Sequence, residues 1–256
     1  MDIASPPAGT IRLDMIPGTL CDHRLWDRLL PHLPAGFDLH HIPLYKARSR
    51  AQMQSLIAAR SAPQAHLVAF SMGAYLALEH ALAHPERVAS LVLIASSARG
   101  LREEEKARRE RTMAALEKHP FVGMPASQLR SFVHPSHLDD PAIADVIHQM
   151  ALDLGKDTML AQFAASMDRA DLMDRLPELT CPVLVVGSAD DQKVPVEDLR
   201  TMAATIPHAT LQLIEGSGHM IPLEAPGALA EAIVAFSRTV GAARTWIDRR
   251  HFNDLG

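Results

Sequence analysis

The chain lacks the features that mark secreted, membrane-spanning and nucleic-acid-binding proteins. It has only two cysteines, Cys21 and Cys181, and their placement suggests no disulfide, so we expect free thiols in the reducing cytoplasm. Residues 1–7 show no positively charged region followed by an apolar stretch, and no apolar run approaches the length of a membrane span. The net charge of −5 includes no basic block. These absences argue against a signal peptide, a membrane span and a nucleic-acid partner.

Aromatic residues are also scarce, at 4% of the chain, so aliphatic side chains and alanine must fill the core. A chain of 256 residues fits one large domain, or one domain with an insertion. Short apolar runs predict strands at residues 11–16, 37–44, 67–70, 88–95, 182–187 and 210–215. Helical spacing of apolar residues predicts helices at 26–33, 52–60, 74–84, 196–206 and 226–240. This alternation indicates an α/β fold with a doubly wound, mostly parallel sheet.

The alternation of strands and helices stops in the middle of the chain. Residues 97–179 show helical segments separated by Pro135, Pro141 and Gly155, with no strand. We interpret them as a helical cap inserted into a core formed by residues 1–96 and 180–240, with a C-terminal tail at 241–256. A cap at this position covers the carboxyl ends of the strands, where α/β sheets bind ligands.

The predicted cap begins with a dense run of charges at residues 102–111. We interpret this run as a solvated helix with ion pairs four residues apart, such as Glu104 with Arg108, rather than as an interaction face. No arginine cluster can be assigned to a charged substrate from the sequence. We therefore expect a mostly apolar cap that accepts a small or medium acyl group.

The segment around Ser71 is typical of a nucleophile elbow. An apolar strand ends at Phe70, Ser71-Met-Gly73 forms a sharp turn, and a helix follows. Such a turn lifts a serine hydroxyl out of the sheet and requires small neighbours, which Ala69 and Gly73 supply. Ala69 replaces the usual first glycine of Gly-x-Ser-x-Gly, and we interpret it as a tolerated variant.

A serine nucleophile needs a base to accept its proton, and two downstream segments provide the required side chains. One is a strand that ends in the carboxylates of Asp190 and Asp191, and the other is a loop that carries His219. Their order along the chain, serine, then acid, then histidine, fits a triad built at the edge of one sheet.

The loop that carries His219 also contains a specific motif, Gly-His-x-x-Pro-Leu-Glu-x-Pro, which occurs here as Gly218-His-Met-Ile-Pro-Leu-Glu-Ala-Pro226. With this motif and the elbow, the chain resembles the α/β-hydrolase superfamily along nearly its whole length. The resemblance is closest to small bacterial cap-bearing esterases, enol-lactonases and cofactor-free haloperoxidases. It implies that Ser71 is the nucleophile, His219 the base and an aspartate after Gly187 the third member, and that no cofactor is needed.

The resemblance leaves two candidates for the triad acid. In the family the acid usually lies three residues after the strand-ending glycine and four before a proline. Asp190 satisfies the first count, from Gly187, and Asp191 satisfies the second, to Pro195. We prefer Asp190 because related lyases tolerate an extra residue between the acid and the proline.

The resemblance also implies two backbone donors for an oxyanion. One is the N–H group of Met72, directly after the nucleophile, and the other is that of Thr19, the first residue after Gly18. We expect no metal site, because the adjacent His40 and His41 point to opposite faces of a strand and Pro135 interrupts the segment between His134 and His137.

The sequence thus predicts a serine carboxylesterase with the catalytic residues Ser71, Asp190 or Asp191, and His219. Lactone opening, carbon–carbon bond hydrolysis and perhydrolysis use the same triad and remain alternatives. A ligand sensor that retains the hydrolase fold without turnover is a different class. The expected partner is a small ester or lactone, and the expected assembly is a monomer or a homodimer.

Overall fold

The computed structural model describes the backbone of residues 10–253 and the side chains of residues 10–241. The N-terminal segment that we judged for a signal peptide lies outside the described residues, as do residues 254–256 of the predicted tail and the side chains of the rest of that tail. Among the described residues, none of the helices has the length and apolar character that a membrane span requires.

Six strands form one sheet in which every neighbouring pair is parallel, in the order β2-β1-β3-β4-β5-β6. The strands are β1 (Ile11–Ile16), β2 (Phe37–His41), β3 (Ala65–Phe70), β4 (Val88–Ile94), β5 (Val183–Gly187) and β6 (Ala209–Leu213). The order reverses its direction between β1 and β3, as in other doubly wound sheets, and such a reversal opens a crevice at the carboxyl ends of the strands. The predicted α/β fold with a parallel sheet is confirmed.

The α-helices are α1 (Arg50–Arg60), α2 (Met72–Ala83), α3 (Glu103–Lys118), α4 (Ala126–Leu129), α5 (Pro141–Met167), α6 (Val196–Thr205), α7 (Ile221–Glu224) and α8 (Pro226–Asn253). Helix α8 continues well past residue 240, where we predicted its end. The helix predicted at residues 26–33 is wrong. Two short 3₁₀ helices, His23–Trp26 and Leu30–His32, stand there instead, and Pro31 has no N–H group to extend a helical ladder.

Both faces of the sheet are buried, which explains why β4 consists entirely of buried residues. One face packs against α1, α2 and α6. The other packs against α8 and the segment of residues 25–29. The sheet is therefore a rigid support for side chains placed at its edge.

Between β4 and β5 the described chain contains helices and no strand, as the sequence indicated. Helix α5 is interrupted at Gly155, whose φ of 74° and ψ of 177° are outside the helical region. We call residues 97–179 the helical insertion. Its side chains Val133, Ile143, Ile147 and Met150 belong to the same apolar cluster as residues of the sheet, so the insertion and the sheet share one core.

Candidate active site

Ser71 lies at the junction of β3 and α2 in a strained backbone conformation, with φ of 52° and ψ of −118°. Residues with a side chain rarely adopt such angles, and they do so mostly where function requires it. The Ser71 N–H group donates to the carbonyl oxygen of Ile94 at 2.9 Å, which holds the turn against β4. The strand, turn and helix that the sequence predicted around Ser71 are all present.

Gly73 allows the elbow to press against the end of β1. A Cβ atom at this position would lie 2.3 Å from the carbonyl oxygen of Pro17 and 2.8 Å from Cγ2 of Ile16. Because the first of these neighbours is backbone, it cannot move aside without displacing the strand end. Gly73 is thus required sterically, whereas the variant residue Ala69 is fully buried within β3.

His219 joins the serine to a carboxylate. Its Nε2 atom lies 2.9 Å from Oγ of Ser71, and its Nδ1 atom lies 2.8 Å from Oδ2 of Asp191. The side chains of His219 and Asp191 are 4% and 0% exposed. The three groups follow the carboxyl ends of β3, β5 and β6, so three segments far apart in sequence meet at one edge of the sheet.

The structure corrects our preference for Asp190 as the residue that contacts His219. Asp191 makes that contact, while the Asp190 side chain is 49% exposed and its nearest ionisable partner is His134, at 4.0 Å. The reason lies in the turn after β5. The Ser188 hydroxyl is buried, donates to the carbonyl oxygen of Ser217 and accepts from the Asp190 N–H group. The extra loop residue thus lies before Asp191, and the aspartate that contacts His219 is the one given by the count to Pro195.

The Asp191 carboxylate is fixed by more than the histidine. Its Oδ1 atom accepts from the N–H groups of Lys193 and Val194, at 2.7 and 3.3 Å, which leaves Oδ2 for His219. Burial alone would raise the pKa of Asp191, but the His219 ring and the two N–H groups together hold that pKa below its ordinary value. Asp191 therefore stays ionised at neutral pH.

Two backbone N–H groups are placed beside Ser71 as candidates for oxyanion binding. Met72 is the first residue of α2, and the first N–H groups of a helix have no acceptor within it. Thr19 lines the same cavity as Ser71, and a Cβ atom added at the preceding Gly18 would lie only 3.2 Å from Cβ of Ser71. The structure thus brings both sequence candidates next to the serine, and their role in binding an oxyanion remains a prediction.

Cys21 also lines this cavity, but it is a poor candidate for the nucleophile. Burial and, to a smaller extent, the nearby Asp22 raise the pKa of its thiol to about 12. A thiol with this pKa is protonated at neutral pH, and only a thiolate is an effective nucleophile.

Glu224 organises the backbone around His219, a role that we did not derive from the sequence although Glu224 belongs to the quoted motif. Its buried carboxylate accepts from three backbone N–H groups, those of His134, Gly218 and Met220, at 2.7, 2.9 and 2.9 Å. The flanking residues of His219 are thereby tied to one fixed anion. The link to His134 also connects the His219 loop to the helical insertion.

A second contact between the helical insertion and the His219 loop runs through Phe132. The N–H group of His219 donates to the carbonyl oxygen of Phe132 at 2.7 Å, and the two rings lie 5.6 Å apart edge to face. At Gly218 a Cβ atom would lie 2.7 Å from the same carbonyl oxygen, so this close approach requires glycine. The insertion therefore helps to position the imidazole.

A cavity of about 670 Å³ lies over Ser71 and His219, between the sheet edge and the helical insertion. Part of its wall is apolar, as expected, formed by Met124, Phe132, Ile147, Met150, Met159 and Phe163. Six cationic side chains also line it: Arg99, Arg102, Arg108, Arg109, Arg169 and Lys193. The cationic wall is a feature that sequence reasoning missed.

The charge run at residues 102–111 was therefore only partly interpreted correctly. It forms α3, but Arg102, Glu105, Arg108 and Arg109 line the cavity. The ion pair four residues apart is Glu105 with Arg109, at 2.6 Å, and not Glu104 with Arg108. Helical charge spacing shows that a face is polar, but it does not show whether that face meets bulk water or a cavity.

The described residues contain no group of three or more histidine, cysteine or acidic side chains that could hold a metal ion. His134 and His137 do approach each other, with ring centroids 6.1 Å apart. However, His134 Nδ1 bonds to Ser136 and His137 Nε2 to the carbonyl oxygen of Gly216, so one ring nitrogen of each is engaged elsewhere.

Comparison with known proteins finds relatives that share this fold. Residues 46–226 match the family model for the alpha/beta hydrolase fold. The chain is 27% identical, over 84% of its length and 78% of the relative's, to a Caulobacter vibrioides protein assigned as the carbamate hydrolase RutD. It is 31% identical, over 75% of each chain, to a Mycobacterium tuberculosis protein assigned as the non-heme bromoperoxidase BpoC. A solved esterase from Thermogutta terrifontis superposes with a TM-score of 0.78 at 25% identity, over 91% of each chain.

Proposed function

Because this chain belongs to the alpha/beta hydrolase fold family, we propose that it is a hydrolase that cleaves carboxylic esters through an acyl-enzyme formed on Ser71. The single observation that carries the proposal is the hydrogen-bonded series from Ser71 Oγ to His219 Nε2, at 2.9 Å, and from His219 Nδ1 to Asp191 Oδ2, at 2.8 Å. A serine joined to a base, with the base oriented by a buried carboxylate, is the arrangement that activates a hydroxyl for acyl transfer.

In the proposed reaction, Ser71 Oγ attacks the ester carbonyl carbon while His219 Nε2 accepts its proton. The N–H groups of Met72 and Thr19 stabilise the oxyanion of the tetrahedral intermediate. His219 then gives the proton to the leaving alcohol, which departs and leaves an acyl ester on Ser71. Water, deprotonated by His219, attacks that ester and releases the acid. Asp191 remains ionised throughout and holds the imidazole in the tautomer that presents Nε2 to the serine.

The same groups serve the alternatives named above, namely lactone opening, carbon–carbon bond hydrolysis and perhydrolysis. Each differs only in the acyl donor or in the second nucleophile. Ester hydrolysis is preferred because the cavity over Ser71 has room for an acyl chain and the solved relative with a TM-score of 0.78 is an esterase. We also infer a cytoplasmic location, which is supported by two buried cysteines without a disulfide.

Competition between water and methanol tests the acyl-enzyme. Phenyl butyrate and p-nitrophenyl butyrate have different leaving groups but yield one butyryl-enzyme. We expect the ratio of methyl butyrate to butyric acid to be the same for both esters at a fixed methanol concentration, because product partition occurs after the alcohol has left. Product ratios are measured by gas chromatography.

A ratio that depends on the leaving group would contradict a common acyl-enzyme. Turnover of lactones of similar size without turnover of either ester would favour lactone opening instead. Thermal stabilisation by these compounds without any turnover would indicate the ligand sensor, because a ligand that binds the folded state raises the apparent stability whether or not it reacts.

A further inference from the structure

One cationic side chain of the cavity, Arg169, has no polar partner. It follows the end of α5 and lines the same cavity as Ser71 and His219. Its Nε atom is enclosed and has no hydrogen-bond partner. Within the described residues, neither of its terminal nitrogens forms a hydrogen bond, and the guanidinium forms no ion pair. Arginine has five N–H donors, so a half-buried guanidinium that gives none of them to a protein acceptor is unusual.

A comparison with Arg50 shows how unusual this arrangement is, because both arginines lie over the ring of Tyr75. The distances from Cζ to the ring centroid are 5.0 Å for Arg169 and 5.3 Å for Arg50. Arg50 is neutralised by Glu79, which accepts from its Nε and Nη2 atoms. Arg169 has no such carboxylate. The ring of Tyr75 satisfies one face of each guanidinium, but it cannot accept the hydrogen bonds directed from the guanidinium edge.

Two of the three acidic side chains that line the cavity, Glu105 and Asp198, are already bonded to other cations, and the third, Glu104, is exposed and forms no ion pair with Arg169. Glu105 accepts from both Nε and Nη2 of Arg109, at 3.1 and 2.6 Å. Asp198 accepts from Arg99 Nε and from the Ser97 hydroxyl, at 3.0 and 2.9 Å. Burial lowers the pKa of Arg169 even though Glu105 acts in the opposite direction. The cavity thus contains a partly desolvated positive charge that Glu105 offsets only from a distance and to which no carboxylate is bonded within the described residues.

The backbone around Arg169 is held firmly. The Tyr75 hydroxyl donates to the carbonyl oxygen of Ala170 at 2.9 Å, and the Leu172 N–H group donates to the carbonyl oxygen of Ala98 at 2.9 Å. A Cβ atom at Gly100 would lie 3.2 Å from the Arg169 carbonyl oxygen, so the two segments are in close contact. A side chain carried by such a segment is presented to a ligand at little additional entropic cost.

We propose that Arg169 binds a carboxylate carried by the substrate, so that the preferred substrates are esters with a second, ionised acid group. This inference rests on the proposed ester hydrolysis at Ser71, because it assigns another part of the same cavity. A guanidinium binds a carboxylate through two parallel hydrogen bonds, which would use the unpaired donors and neutralise the charge. An uncompensated buried charge is costly, and a ligand of opposite charge removes that cost.

Lys193 is the other cavity cation without an ion pair in the described part of the chain, but its environment differs. Its Nζ atom donates to the Ser131 hydroxyl at 2.7 Å and lies 4.2 Å from the centroid of the Phe132 ring. The Lys193 ammonium group therefore already has one hydrogen bond and one aromatic contact within the protein. Lys193 lacks the planar pair of free donors that selects a carboxylate, so Arg169 is the stronger candidate.

The test compares esters of matched length with and without the second acid group. Mono-p-nitrophenyl adipate and p-nitrophenyl hexanoate share a six-carbon acyl chain, and the hexanoyl ester of 4-hydroxybenzoate carries its carboxylate on the alcohol side. We expect the intact enzyme to have at least a tenfold higher kcat/KM for one of the charged esters than for its neutral counterpart. The charged ester that the enzyme prefers shows whether the carboxylate that Arg169 binds lies on the acyl side or on the alcohol side of the scissile bond.

In Arg169→Met this preference should fall at least tenfold, and Arg169→Lys should retain part of it. Arg175→Met is the matched control, because Arg175 pairs with Glu178 on the surface and does not line the cavity. It removes the same formal charge from the chain and should leave the preference unchanged. An unchanged preference in Arg169→Met, or a loss that occurs only in Lys193→Met, would overturn the assignment.

Binding separates this inference from the proposed reaction. We expect adipate to bind Ser71→Ala protein in isothermal titration calorimetry, and to bind Ser71→Ala/Arg169→Met at least tenfold more weakly. If the enzyme hydrolyses no ester but adipate binding depends on Arg169, the anion site stands and the proposed reaction fails. If esters are hydrolysed but Arg169 affects neither the preference nor the binding, the anion site fails and the proposed reaction stands.

Discussion

Replacing Ser71 by alanine is expected to lower kcat for p-nitrophenyl butyrate by about 10⁶-fold, the scale of loss when a triad nucleophile is removed. The reason is that Ser71 Oγ is the atom bonded to His219 Nε2, at 2.9 Å, and no acyl-enzyme can form without it. Alanine keeps the Cβ atom and the strained backbone. We therefore expect the free energy of unfolding to change by less than about 1 kcal/mol, as for substitutions that create no cavity and bury no unpaired group. Initial-rate assays measure kcat, and urea denaturation measures the free energy of unfolding.

Ser55→Ala is the control for this substitution. Ser55 lies on the exposed face of α1, and its hydroxyl bonds only to the carbonyl oxygen of Ala51. It should leave kcat unchanged. Turnover in Ser71→Ala above about one thousandth of that of the intact enzyme, a rate beyond what binding and oxyanion donors alone supply, would show that another group attacks the ester. Cys21 would then be the first residue to replace, since it lines the same cavity.

Replacing Asp191 by asparagine is expected to lower kcat by about 10⁴-fold, the loss seen when a triad acid becomes an amide. The carboxylate accepts a hydrogen bond from the Nδ1–H group of His219 at 2.8 Å, whereas an amide can present its NH₂ group there and favour the wrong tautomer. The adjacent Asp190 provides a matched control that differs by one position. Asp190→Asn should change kcat by less than about threefold, because its exposed carboxylate contacts no group of the site.

The two asparagine variants are compared by kcat at several pH values and by circular dichroism. A large loss in Asp190→Asn with little loss in Asp191→Asn would contradict the assignment of the acid. Equal large losses would mean that the turn after β5 rearranges, and that the distance between Asp191 and His219 depends on both carboxylates.

The sequence was sufficient to predict the sheet. Parallel strands that are buried on both faces appear in a sequence as short apolar runs, and few other structures produce that pattern. It was also sufficient for the elbow, since strand, Ser71 and Gly73 are adjacent in the chain. The sequence could not show in the same way which aspartate contacts His219. Whether Asp190 or Asp191 faces inward depends on the buried Ser188 hydroxyl bonding across to Ser217, which is a contact between segments distant in sequence.

The cationic wall could not be predicted for a related reason. The pattern of α3 shows alternating charges, and only the packing of the helical insertion over the sheet turns Arg109 towards the cavity. Arg169 belongs to no motif. Its significance comes from the lack of a carboxylate bonded to it in the described residues, a property of the surroundings rather than of the local sequence.

Covalent labelling of the nucleophile tests the central claim most directly. A fluorophosphonate transfers its phosphonyl group only to an activated serine, because the reaction requires a deprotonated hydroxyl and oxyanion donors. We predict that mass spectrometry will find one phosphonyl group per chain, located on Ser71, and no label in Ser71→Ala or within the same time in His219→Ala. Labelling at another residue, or undiminished ester hydrolysis by a protein that takes up no label at Ser71, would contradict the claim that Ser71 and His219 form the active site.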